Sequence, residues 1–88
     1  MTKAEEQKMT YQDYEKMADE YRAQAELLGK KLETRRKRRS FASAEERSEH
    51  ETALKLLNEM KLDCRATETR LRNIAEYIKE ADDHEESR

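Results

Sequence analysis

Arg35-Arg36-Lys37-Arg38-Arg39 is the stretch of this 88-residue sequence with the plainest chemical use. Five adjacent cations, with Lys30 and Lys31 shortly before them, could contact phosphates and release their counterions, the sequence-independent part of nucleic-acid binding. Aromatic side chains on which bases could stack are missing nearby, apart from Phe41. The run also has the composition of a nuclear-localisation string, a weak pattern with nothing beside it that indicates a nucleus.

The other reactive residue types do not combine. His50 and His84 each lack a second His within a turn, and neither belongs to a Glu-x-x-His or His-Glu-x-x-His motif, so neither makes a convincing metal ligand. Cys64 is the only cysteine, which excludes an internal disulfide or a Cys-x-x-Cys pair. It falls at an apolar step of a helical pattern, where a thiol is by default buried and inert. One glycine cannot build a Gly-rich phosphate loop. A simple helical hairpin has no pocket to gather a Ser, a His and an acid. The expectation is a non-enzyme with no cofactor and no metal.

Composition narrows the class. Charged residues make up 45% and hydrophobic ones 34%, with no Pro and no Trp. At this length the chain is one small domain at most, with little apolar material for a core. An excess of Ala, Glu, Lys, Leu and Arg with heptad spacing predicts long helices rather than disorder. Met1 to Lys8 is charged rather than apolar, and no apolar run approaches the ~20 residues of a membrane span. A cytoplasmic protein without membrane attachment is expected.

The elements follow from spacing. Thr10 with Asp13 makes a capping box that starts a first helix. From there Tyr11, Tyr14, Ala18, Tyr21, Ala25, Leu28 and Leu32 recur at alternating steps of three and four, a heptad stripe on one face. The stripe keeps its register past Gly29, which predicts an unbroken helix over 10–39 with the glycine easing a neighbour's approach. A turn over 40–43 follows. Ser43 with Glu46 opens a second helix over 44–81, whose stripe is Ala53, Leu57, Met60, Cys64, Thr67, Leu71, Ile74, Ile78 and Ala81. Residues 1–9 are an extension, frayed or helical, and 82–88 a disordered acidic tail. The fold class is all-α: an antiparallel two-helix coiled-coil hairpin.

This layout gives the basic run a second reading. Residues 21–40 hold eight cations and two acids, for +6, while 41–60 hold two cations and five acids, for −3. The macrodipole favours cations at a helix C-terminus and anions at the next N-terminus, and the hairpin lays the two segments side by side. That structural reading outweighs a phosphate-contacting patch formed by Lys30, Lys31, Arg35, Arg36, Lys37, Arg38 and Arg39. Phe41 is expected to plug the core at the turn. Met17, Leu27, Leu54, Leu56 and Leu62 lie off the stripes and do not all fit one seam, which makes them the candidate interface. Since a lone hairpin buries little, the expected assembly is a homodimer forming a four-helix bundle. An unidentified protein partner competes for the same face, and a nucleic acid is the lesser alternative.

The stretch LLNEMKLDCRATETRLRNI, Leu56 to Ile74, with LETRRKRRSFASAEERSE before it, resembles small uncharacterised bacterial helical-hairpin (coiled-coil) proteins. There a basic helix end, a short turn and an acidic restart precede a Leu-rich helix. The resemblance covers about half of the chain. It implies a bacterial cytoplasmic protein and brings no activity, ligand or functional residue with it. The functional expectation is a protein–protein interaction or scaffold module. A small nucleic-acid-associated accessory protein using residues 30–39 is the alternative.

Overall fold

Thr10 starts the first helix as its neighbours dictate. A computed structural model, which describes residues 9–86 and their side chains to Asp82, gives Thr10 an extended backbone. Its Oγ1 accepts from the Asp13 N–H at 3.3 Å, and its own N–H donates to Asp13 Oδ2 at 2.9 Å. Two orphan donors of the first turn are thereby satisfied. Helix α1 runs Tyr11–Arg36 and helix α2 runs Ala44–Glu86, with no strand among the described residues. The start of α2 is half of the expected box. The Glu46 N–H donates to Ser43 Oγ at 3.1 Å, but the Glu46 carboxylate accepts from the Ala42 N–H, one residue before Ser43.

Two predicted boundaries move. The first helix stops at Arg36, three residues before 39, so Lys37, Arg38 and Arg39 belong to the connection. Prolonging it would stack Lys31, Arg35 and Arg39 one turn apart, and like charges at that spacing oppose a helix. The second helix runs on to Glu86, through most of the segment expected as a tail; residues 87–88 and the extension 1–8 lie outside the described residues.

The chain folds into a hairpin 68 × 29 × 13 Å, one helix thick. Contacts between the helices run in opposite order along them. Tyr11 lies under Lys79, Asp19 meets Arg72, Gln24 meets Cys64, and Gly29 faces Lys61. The stripe read on α1 is the seam: Ala18, Ala25 and Leu32 are its buried residues, with Tyr21 and Leu28 half-buried between them and Tyr11 and Tyr14 half-buried before them. Small residues alternating with large ones let the helix axes approach.

On α2 the seam differs from the stripe. Leu57, Cys64, Leu71 and Ile78 are in it as expected, and seven residues before Leu57 it begins with His50, buried at 7% exposure. At the other steps Lys61 and Ala75 are covered in place of the expected Met60 and Ile74, and Leu54 and Glu68 are half-buried alongside the expected Ala53 and Thr67, which are half-buried too. The helix is therefore rotated toward its polar side. Ala75 is buried at 3% exposure where the stripe offered Ile74, which stays 41% exposed. Lys61 lays its alkyl stem beside Gly29, and Glu68 holds Arg72 at 2.9 Å while Arg72 reaches Asp19 on α1, also at 2.9 Å. The hydrogen bond to Asp19, and then that to Glu68, hold the Arg72 pKa above its usual value. A long apolar stem serves a seam as a methyl group would, with its charge left in water.

The geometry at Gly29 corrects the role expected for it. A Cβ built there would meet only Lys61 Cε and Cδ, at 3.9 and 4.0 Å, which is ordinary contact. Close approach does not require the glycine. Gly29→Ala should therefore stabilise the hairpin by about 1 kcal/mol through helix propensity. Ala25→Leu, at a position 1% exposed, should destabilise it by about 1–3 kcal/mol. Thermal unfolding followed by circular dichroism checks both signs; a Gly29→Ala that destabilises would contradict this packing.

Candidate functional site

Two regions of the hairpin carry groups that the seam leaves over: the turn and one flank. At the turn Arg38 leaves the helix and folds across the connection. Its Nε donates to the Ser40 carbonyl at 3.2 Å, its Nη2 pairs with Glu46, and its guanidinium sits 4.9 Å above the Phe41 ring. Phe41 in turn packs on His50 with ring centroids 4.9 Å apart and planes tilted by 50°. So Phe41 covers the end of the seam as expected, but its partner is a histidine whose Nδ1 has no hydrogen-bond partner among the described residues. Sequence reasoning weighs His50 only as a metal ligand and misses its place in the seam. Its signal was the seven-residue step to Leu57.

The basic residues thus divide. Arg38 is tied into the turn. Arg35, Arg36, Lys37 and Arg39 are exposed, as are Lys30 and Lys31, and none of the six makes an ion pair among the described residues. They surround the tip without converging on one pocket. Lys30, Lys31 and Arg35 border an open groove with Thr34 and Leu57, and Arg36 borders another beside Lys61 and Arg65. Among the described residues no group of three or more His, Cys, Asp or Glu side chains could hold a metal, and no helix is long and apolar enough to cross a membrane.

The flank follows from the rotation of α2. Ala53, Met60, Thr67, Ile74 and Ala81 each stand one position before a residue of the polar-shifted seam or its continuation, so they line its edge. Leu56 and Tyr77, three residues past Ala53 and Ile74, lie further round on the same side. On α1 Met17, Gln24 and Lys31 stand one position before Ala18, Ala25 and Leu32. Gln24 reaches Cys64, which puts this edge of α1 on the same flank; Asp19 and Arg72 mark the other. Leu27 lies three residues past Gln24. The result is one apolar flank on which Leu27, Leu56, Met60, Ile74 and Tyr77 are 54, 53, 51, 41 and 75% exposed.

The five candidate interface residues separate accordingly. Leu27 and Leu56 share this flank, and Met17 borders it half-buried. Leu54 is a half-buried seam residue. Leu62, 55% exposed, faces away, two residues past Met60. Met60, Ile74 and Tyr77 were missed as surface residues because the first two had been read as core.

The turn yields a test. Phe41→Ala should cost about 1–2 kcal/mol, below the ~3–5 of a fully buried ring. Arg38→Ala should cost under about 1 kcal/mol, because its pair with Glu46 is 47% and 32% exposed. Urea unfolding of the two variants checks the order; an Arg38 effect equal to that of Phe41 would make the ion pair the clasp. No protein-family model, curated protein or solved structure matches this chain.

Proposed function

We propose that this chain is a non-enzymatic interaction module of the cytoplasm: an antiparallel two-helix coiled coil that associates with a second copy as a four-helix bundle. The observation that carries the reading is the flank, where Leu27, Leu56, Met60, Ile74 and Tyr77 are all more than two-fifths exposed on one side. Large exposed apolar surfaces on small proteins mark interaction sites. A sheet one helix thick has no second layer of its own, and the simplest second layer is an identical one.

A second reading concerns the tip. Lys30, Lys31, Arg35, Arg36, Lys37 and Arg39 are exposed and unpaired among the described residues, which favours contact with phosphates as a subsidiary role. It predicts oligonucleotide binding that weakens steeply with salt and is lost when Arg35, Arg36 and Arg39 are neutralised together. Fluorescence anisotropy at low and at physiological salt measures it, and absence of binding at low salt rejects it.

The main reading predicts opposite outcomes for two leucines of nearly equal exposure. Leu56→Asp should turn the dimer into a helical monomer, whereas Leu62→Asp, on the far side, should leave assembly within about threefold of the parent. Sedimentation equilibrium decides. A parent protein that is a well-folded monomer at high concentration would mean that this flank serves a different protein or none.

A further inference from the structure

The apolar flank of α2 is a second heptad stripe, and it is nearly symmetric about its own centre. Its positions are 53, 56, 60, 63, 67, 70, 74, 77 and 81, with steps alternating between three and four throughout. Counted outward from Thr67, Asp63 answers Arg70, Met60 answers Ile74, Leu56 answers Tyr77, and Ala53 answers Ala81. The two halves match in size class, small at the ends and large inside them. They differ in the one respect that matters for self-recognition: the charge nearest the centre is negative on one side and positive on the other. Neither Asp63 nor Arg70 makes an ion pair among the described residues, and both are exposed.

We propose that a second copy docks here with its α2 antiparallel to the first, on a two-fold axis passing near Thr67. The proposal rests on the self-association reading and fixes its face, direction and register. A two-fold axis perpendicular to the helix brings each residue against its counterpart across the centre. Met60 then lies by the partner's Ile74, Leu56 by the partner's Tyr77, and Asp63 within a turn of the partner's Arg70, twice over. The stripe from Ala53 to Ala81 gives a contact about 42 Å long at 1.5 Å per residue.

Charge on the rest of the hairpin selects the same direction. The level of Thr67 falls on α1 between Asp19 and Gln24, given the contacts of those residues with Arg72 and Cys64. Before that level α1 is acidic, with Asp13 and Glu20; after it α1 is basic, with Lys31 and Arg35. Reversal about the axis sets acidic halves against basic ones. A parallel arrangement would instead place two Arg35–Arg39 tips side by side, and such like-charge juxtaposition costs several kcal/mol.

Charge exchange tests the register. Asp63→Arg alone and Arg70→Asp alone should each weaken dimerisation about tenfold or more, because each places like charges across the axis twice. The double variant keeps opposite charges across it and should return to within about threefold of the parent. Cysteine cross-linking reads the geometry directly, in a Cys64→Ser background with diamide as oxidant. Thr67→Cys should link to its own copy. Glu49→Cys should not, since the axis sets those two residues about 50 Å apart. A dimer in which the double variant stays weak and Thr67→Cys fails to link overturns the register while self-association stands. Linking through Glu49→Cys would establish the parallel arrangement and also overturn it. A parent that stays monomeric at high concentration removes both the register and the reading beneath it.

Discussion

One helix can cover only one face of another, and this limit organises the molecule. Helix α1 spends its small residues, Ala18 and Ala25, on approaching α2 along a single seam. Helix α2 carries apolar residues over more than one seam's width. Leu57, Cys64, Leu71 and Ile78 lie where both possible faces overlap, so they are covered under either choice. The rest is settled with Lys61 and Ala75 in the seam in place of Met60 and Ile74. The large apolar side chains on the other edge are then left uncovered by α1: Leu56, Met60, Ile74 and Tyr77. The exposed flank is the direct consequence of how the seam is packed.

The polar residues drawn into the seam show why the rotated packing is affordable. Lys61 and Glu68 contribute their stems, and Glu68 also fastens the Arg72 bridge to Asp19. Interhelical bridges exposed to this degree contribute little net energy, but they fix register because they are made at one alignment only. At the turn, Arg38 is held by Ser40, Glu46 and Phe41 together. Part of the basic run is thus structural, and the remainder gives the tip a field that disfavours alignment of two tips.

The sequence made much of this legible, and unevenly. Both helix starts were readable because capping residues act locally: Thr10 with Asp13, Ser43 with Glu46. The seam of α1 was readable because that helix has one apolar stripe and no rival. The seam of α2 was readable only at its shared positions, since periodicity states which residues align and not which of two neighbouring faces meets a partner. For that reason periodicity alone places Met60 and Ile74 in the core and Leu54 at the interface. The end of α1 was missed because the apolar stripe does not register charge: like charges at Lys31, Arg35 and Arg39 oppose a further turn, and Arg38 instead pairs with Glu46 of α2 and lies over Phe41 of the connection. The exposed flank could not be seen before the seam was known, because it is defined by what the seam omits.

The central claim is that the flank of α2 is covered by a second copy and that this burial contributes to folding. The direct measurement is the melting temperature, followed by circular dichroism, across about a thousandfold range of protein concentration. Association that stabilises the native state makes the melting temperature rise with concentration. A steady rise, with one cooperative transition, is the predicted result. A reversible transition whose midpoint does not move with concentration would contradict the account, because the hairpin would then be stable with its apolar flank in water.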